Sequence, residues 1–181
     1  MFIRGPQPES IIWQHFRRVT DGFAFGERHG LFEAQLVPNA DRAVELFVAL
    51  LEHLAPAVDV HMEDWRSGRA WFGEALAYGD VREAVGRSKQ VLSSQAGAEI
   101  TVTSGPEQLT LNANLELFAY ATTDRWLYVL HGKGLQRVRS LRRRSWRLQR
   151  GEFSGAPSAE LALQSIAERL GLDRVAAAPS P

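Results

Sequence analysis

The sequence predicts an α+β fold: a mainly antiparallel sheet of about five to seven strands, with a long meander at 98–131, and three helices at 41–55, 80–95 and 158–170. Three observations predict it. Apolar residues hold every odd position from Leu109 to Ala121, a period that extended chain satisfies. Three other stretches repeat apolar residues at three- and four-residue spacing, as a helix with one buried stripe does. The strand-like segments are joined mostly by turn signals, which favours hairpins over parallel crossovers.

Taken in order, Ser10 to Val19 reads as a first strand through Ile11, Trp13 and Val19, and Asp21-Gly22 as a turn. Phe23-Ala24-Phe25 begins a strand that Gly26 to Gly30 breaks. From Leu31 to Val37, Phe32, Ala34 and Leu36 alternate with Glu33 and Gln35. Pro38-Asn39 ends that strand, and Asn39 or Asp41 caps the helix at 41–55, whose stripe is Val44, Phe47, Val48, Leu51 and Leu54. Pro56 is its stop. Val58, Val60 and Met62 then alternate with Asp59, His61 and Glu63, a strand with one wet face. Trp65 to Gly73 reads as an irregular aromatic and basic loop. Asp80 and Glu83 resemble a capping box for the helix at 80–95, carried by Val81, Ala84, Val85, Val91 and Leu92.

In the second half, Ile100 and Val102 alternate with threonines, and Gly105-Pro106 turns the chain. The odd-position run that follows is one long strand, or two joined by a bulge near Ala113-Asn114. Trp126, Tyr128 and Leu130 continue the meander past a turn at Asp124. Leu135, Val138, Leu141 and Leu148 fit a helix, while a turn and a short strand at 145–149 fit equally. Gly151 to Pro157 is a linker. Ser158 caps the last helix, with Leu163, Ile166, Ala167 and Leu170 on its buried face and Gly171 just beyond. Residues 1–172 read as one domain and 173–181 as a flexible tail.

A chain of 181 residues with 45% hydrophobic content can bury its own core without staples. It has no cysteine, which excludes disulfides, thiolate metal sites and cysteine nucleophiles and fits a reducing compartment. The start, MFIRGPQPES, lacks the apolar run of a signal peptide, and the apolar stretch Val44 to Leu51 is too short to span a bilayer. A cytoplasmic location and no membrane contact are expected.

Several motifs fail. His61-Met62-Glu63 matches half of a zinc deaminase signature, but its cysteine pair cannot exist here. There is no HExxH. Gly132-Lys133-Gly134 lacks the glycine five residues earlier and the hydroxyl residue after that a P-loop needs, since Leu127 and Gly134 stand there. A dinucleotide fingerprint from Gly132 meets Arg137 where its last glycine belongs. Between Gly151 and Gly155, Ser154 stands fourth rather than third, so there is no nucleophile elbow. No catalytic residue, metal ligand or cofactor is assigned.

Two constellations survive. The net charge is zero, yet residues 131–150 hold eight cations and no acid, which leaves a net of −8 elsewhere. The candidate contact set is Lys133, Arg137, Arg139, Arg142, Arg143, Arg144, Trp146, Arg147 and Arg150. Guanidinium groups grip phosphates and carboxylates, and a tryptophan among them can stack on a base. The function expected is a non-catalytic binding domain whose partner is a nucleic acid or an acidic protein, with docking on a twin in a homodimer as one form of the bland reading. The bland reading is a solvated face or one docked on the chain's own acids. The second constellation is Asp59, His61 and Glu63 in a row on one strand face, with Asp64, Trp65, Arg66, Arg69 and Trp71 trailing. Its chemical reading is a small metal-dependent or acid–base hydrolase, with His29 or His53 completing the set. Its bland reading is the wet side of an antiparallel strand. A protein-directed inhibitor or adaptor is the remaining alternative. The aromatics Phe118, Tyr120, Trp126 and Tyr128 belong either to an interface or to a covered second face.

Overall fold

The computed structural model describes residues 22–141 and 148–176. The class is α+β, but the counts differ from expectation: nine strands in one mixed, mostly antiparallel sheet, and five α-helices among the described residues. In chain order these are β1 (Gly22–Arg28), β2 (Leu31–Leu36), α1 (Ala40–Leu50), β3 (Ala57–Asp64), β4 (Arg69–Ala77), α2 (Tyr78–Arg87), α3 (Lys89–Gln95), β5 (Ala98–Ser104), β6 (Glu107–Leu111), β7 (Leu117–Ala121), α4 (Arg125–Gly132), β8 (Gln136–Arg137), α5 (Pro157–Leu170) and β9 (Asp173–Val175). The sheet order is β8-β1-β2-β7-β6-β5-β3-β4-β9. Among the described residues its one parallel pair is β1 with β8.

The differences have local causes. β1 runs through Gly26 to Arg28 because β2 pairs with it as far as Arg28↔Leu31. The chain reverses only at His29 (φ 54°) and Gly30 (φ 77°), two left-handed residues whose turn matches the strand twist. The expected loop at 65–73 is short, and from Arg69 the chain is β4, with Trp71 in the core opposite Met62. A register shift between Val58 and Val60, with Ala75 at φ 53°, hides the alternation of β4 in the sequence.

The odd-position run is neither one strand nor a bulged pair but a β6–β7 hairpin. Asn112 organises its loop: Oδ1 accepts from the Asn114 N–H at 3.0 Å and the Glu116 N–H at 2.9 Å. Ala113 and Leu115 are buried in the loop, and so are Asn114 and Glu116, so every odd position stays buried while the alternation of burial is lost. Residues 125–132 are helix rather than strand. Trp126 and Leu130, four apart, share the buried side of α4, and Tyr128 is 66% exposed.

The helix expected at 41–55 ends at Leu50 and tightens into a 3₁₀ turn over Leu51–His53. The one at 80–95 is two, α2 and α3, meeting at Ser88. Glu83 forms no capping box; it binds Arg87 at 2.6 Å and Arg169 at 3.2 Å. Pro157, not Ser158, opens α5, where a missing N–H costs nothing. Gly171 closes α5 at φ 63°, with the Leu172 N–H donating to the Ala167 carbonyl. Asp173–Val175 pair with β4 and so belong to the sheet rather than to a tail.

The five helices lie over one sheet face. Phe47, Val85, Leu92, Trp126 and Leu163, one from each, share a single core with Phe23, Leu36, Met62, Ile100 and Leu117 from the strands. On the opposite face stand Ala24, Glu33, Gln35, Phe118, Tyr120, Thr110, Thr101 and His61. Phe118 and Tyr120 are half-buried there. Among the described residues no helix is long and apolar enough to cross a membrane.

Candidate partner-binding surface

Charge gathers at two places, the β3–β4 end of the sheet and the β1–β8 edge. At the first, Asp59 Oδ1 accepts from the Ala75 N–H at 2.9 Å and so ties down the bulge. Glu63 is fully buried, and its Oε2 accepts from Arg150 Nη2 at 2.6 Å. The Arg150 guanidinium also lies 5.4 Å from the Trp65 ring centroid. Glu99 faces Glu63 in register on β5. Burial first, and then the Glu63 charge, push the Glu99 carboxyl above its ordinary range, with Arg150 opposing.

The trailing residues hold structure together rather than a ligand. Arg66, 2% exposed, donates to Asp64 Oδ1 at 3.1 Å and to the Gln95 and Ala96 carbonyls at the end of α3. Ser67 Oγ donates to the other Asp64 oxygen at 2.7 Å. Gly97, at φ 74°, is the only kind of residue that leaves Arg66 its place, since a Cβ there would sit 2.6 Å from the guanidinium carbon. Trp71 is in the core, and Arg69 is exposed, 3.8 Å from Glu160. His29 sits at the β1–β2 turn and His53 against Trp126, so neither joins the Asp59, His61 and Glu63 row. Among the described residues no three His, Asp or Glu side chains are grouped to hold a metal.

The arginine-rich segment is divided. Lys133 Nζ donates to Glu52 Oε1 at 2.7 Å, a bond that lowers the Glu52 carboxyl from its ordinary value. Leu148 is pinned through both backbone groups by the Asn114 side chain, at 3.1 and 3.2 Å, and the Gly151 N–H donates to the Trp65 carbonyl. Arg142, Arg143, Arg144, Trp146 and Arg147 lie outside the described residues. Arg137 and Arg139 are exposed. Arg137 Nη2 donates to the Phe25 carbonyl at 3.0 Å, and its guanidinium lies over the Phe25 ring.

β8 pairs with β1 only at Gly22 and Phe23. Val138 then packs against the helix-free side of Gly22, where a Cβ would come within 2.9 Å of its Cγ1. This departure opens a trough of about 890 Å³ beside β1. Ala24, Gly26, Glu33 and Gln35 form its floor, and Arg28, Arg137 and Arg139 its rim. A Cβ on Gly26 would meet nothing within 4 Å, so the floor is bare there. A second hollow of about 330 Å³ shares Arg28 and Glu33 and reaches Tyr120. The Tyr120 hydroxyl donates to Glu33 Oε1 at 3.2 Å, and burial with the Glu33 charge pushes its pKa up to about 12.

No protein family, curated protein or solved structure matches the chain. What the surface can do is therefore read from its chemistry. Arg28 and Arg139, exposed beside the trough, can offer paired N–H donors to carboxylate or phosphate oxygens, and Arg137 stands at the same edge with its guanidinium on Phe25. Arg28 and the trough floor escape a sequence reading because they lie far from the arginine-rich segment in the chain. Their one local mark is the arginine immediately before the His29-Gly30 turn.

Proposed function

We propose that this protein is a non-catalytic binding domain that holds an anionic partner on its arginine-rich side, with Arg28, Arg137 and Arg139 as the described part of the contact and Arg142, Arg143, Arg144, Trp146 and Arg147 continuing it along the chain. The observation that carries this reading is the trough, which gathers exposed arginines from two distant parts of the chain around one groove. The lopsided charge of residues 131–150 supports it. The rival row at Asp59, His61 and Glu63 has two of its members engaged by Ala75 and Arg150.

Fluorescence anisotropy with labelled single-stranded DNA, duplex DNA and polyglutamate tests the reading. At least one should bind at low salt and weaken steeply as salt rises, because bound counterions are released on contact. The double variant Arg137→Glu/Arg139→Glu should weaken that binding at least about tenfold, two reversed charges being involved. Failure of all three polyanions to bind at low salt overturns the proposal.

A further inference from the structure

We infer that the anionic partner is an extended acidic polypeptide that adds a strand to the outer edge of β1, continuing the line that β8 begins. This rests on the anion-binding reading and names its partner. The backbone shows the opening. The Val138 N–H donates to the Phe23 carbonyl at 2.9 Å, and Arg137 donates to the Phe25 carbonyl at 3.0 Å. Carbonyls two residues apart thus point away from β2, and by the same alternation so do the N–H and C=O of Glu27. Beyond Phe23 no described backbone pairs with this edge, and Gly26, Glu27 and Arg28 are exposed. The Arg137 side chain occupies the place of a next strand's donor. Behind the edge, six consecutive pairs with β2, from Phe23 to Arg28, hold β1 in the sheet. A backed edge whose Phe25 N–H and Glu27 peptide groups have no described partner is the template that strand addition uses.

The charge pattern selects the partner. Glu27 and Glu33 line the trough between the arginines. A nucleic acid carries the same charge on every unit and meets both glutamates with like sign. A strand sends successive side chains to opposite faces. With its acids on the face of Arg28, its neutral residues pass Glu27 on the other face. Stacking points the same way. Phe25 is stacked on Phe32 with centroids 5.8 Å apart and covered by Arg137 at 5.6 Å, so both faces of its ring are already used. The bare Gly26 and small Ala24 leave room for the added strand's side chains.

The test uses a labelled peptide that alternates valine and glutamate, with a proline-interrupted isomer and an oligothymidine as controls. The peptide should bind the full chain, the isomer and the oligothymidine should be weaker, and amide exchange should slow at Phe25 and Glu27. Glu27→Pro removes the outward N–H but leaves the bonds to β2, which come from residues 24, 26 and 28. It should lose about tenfold in peptide affinity, the worth of one backbone hydrogen bond. Equal binding by Glu27→Pro, or unchanged exchange at Phe25 and Glu27 in the wild-type complex, overturns strand addition. Oligothymidine binding that the peptide cannot displace also overturns it, while leaving the anion-binding reading in place. If neither probe binds, strand addition falls, and the titrations with duplex DNA and polyglutamate decide the anion-binding reading.

Discussion

The β1–β8 edge and the β3–β4 end of the same sheet both collect arginine, and they treat it in opposite ways. At the β3–β4 end, Arg66 and Arg150 meet buried carboxylates, Asp64 and Glu63, and stack on Phe153 and Trp65. At the β1–β8 edge, Arg28 and Arg139 stand exposed on a trough and Arg137 covers a phenylalanine. The lesson is that charge in a chain is not charge available to a partner. Whether an arginine reaches outward depends on which strand lies beside it and whether that strand presents an acid.

That contrast can be broken from its buried side first. Replacing Arg66 with methionine strands the Asp64 carboxylate, 1% exposed, without its guanidinium. The expected cost is about 3–5 kcal/mol, the range for breaking a buried pair by removing one member. Urea denaturation checks it, and a loss below about 1 kcal/mol, the surface-pair range, would place this pair with the exposed ones.

Glu63→Gln keeps the shape but weakens the bond to Arg150, whose side chain is 25% exposed. A smaller loss is expected, about 1–2 kcal/mol, since a charge-assisted bond becomes a neutral one. The same variant removes one cause of the raised Glu99 carboxyl, so that group should titrate lower by NMR.

Glu99 itself sharpens the comparison through pH. Its folded pKa lies above the ordinary 4.5, so the folded state holds the proton more tightly than the unfolded chain does. The contribution is therefore most favourable below the unfolded value and is lost as pH rises through the folded one. Glu99→Gln should match the wild type in acid and exceed it slightly at neutral pH. Melting curves across that window decide it, and a variant less stable at neutral pH would reverse the assigned sign.

The smallest expected effect on stability comes from the open side. Arg137→Glu/Arg139→Glu should change unfolding by no more than about 0.5–1 kcal/mol, because exposed charges contribute little to the fold. The pair should instead be felt in partner affinity. A large loss of stability there would mean that this edge, like the other, is structural.

Some of this was readable along the chain. The alternation of Val58, Val60 and Met62 announced β3 and its buried face, and the stripe of Val44, Phe47 and Leu51 announced α1, because both periods are local. The same logic failed at Trp126, Tyr128 and Leu130. Three apolar residues two apart satisfy a strand, yet the first and last also share a helix face, and packing of Trp126 into the core decided for α4. It failed again at Asn112, where a loop held by one side chain turned the chain inside the run of apolar odd positions, all of which stay buried. For the candidate surface, Arg137 and Arg139 were visible as part of a basic run, whereas nothing along the chain joined Arg28, Gly26 and Tyr120 to that run.

The sequence by itself determined the α+β class, the apolar side of elements with a clean period such as β3 and α1, and the concentration of positive charge in residues 131–150. All three are properties of near neighbours, written in composition and spacing. The tertiary structure alone decided that Arg150 is spent on Glu63 while Arg137 and Arg28 share an open trough. The physical reason is that strand pairing joins residues far apart in the chain, and only the closed sheet sets one segment's charge against another's.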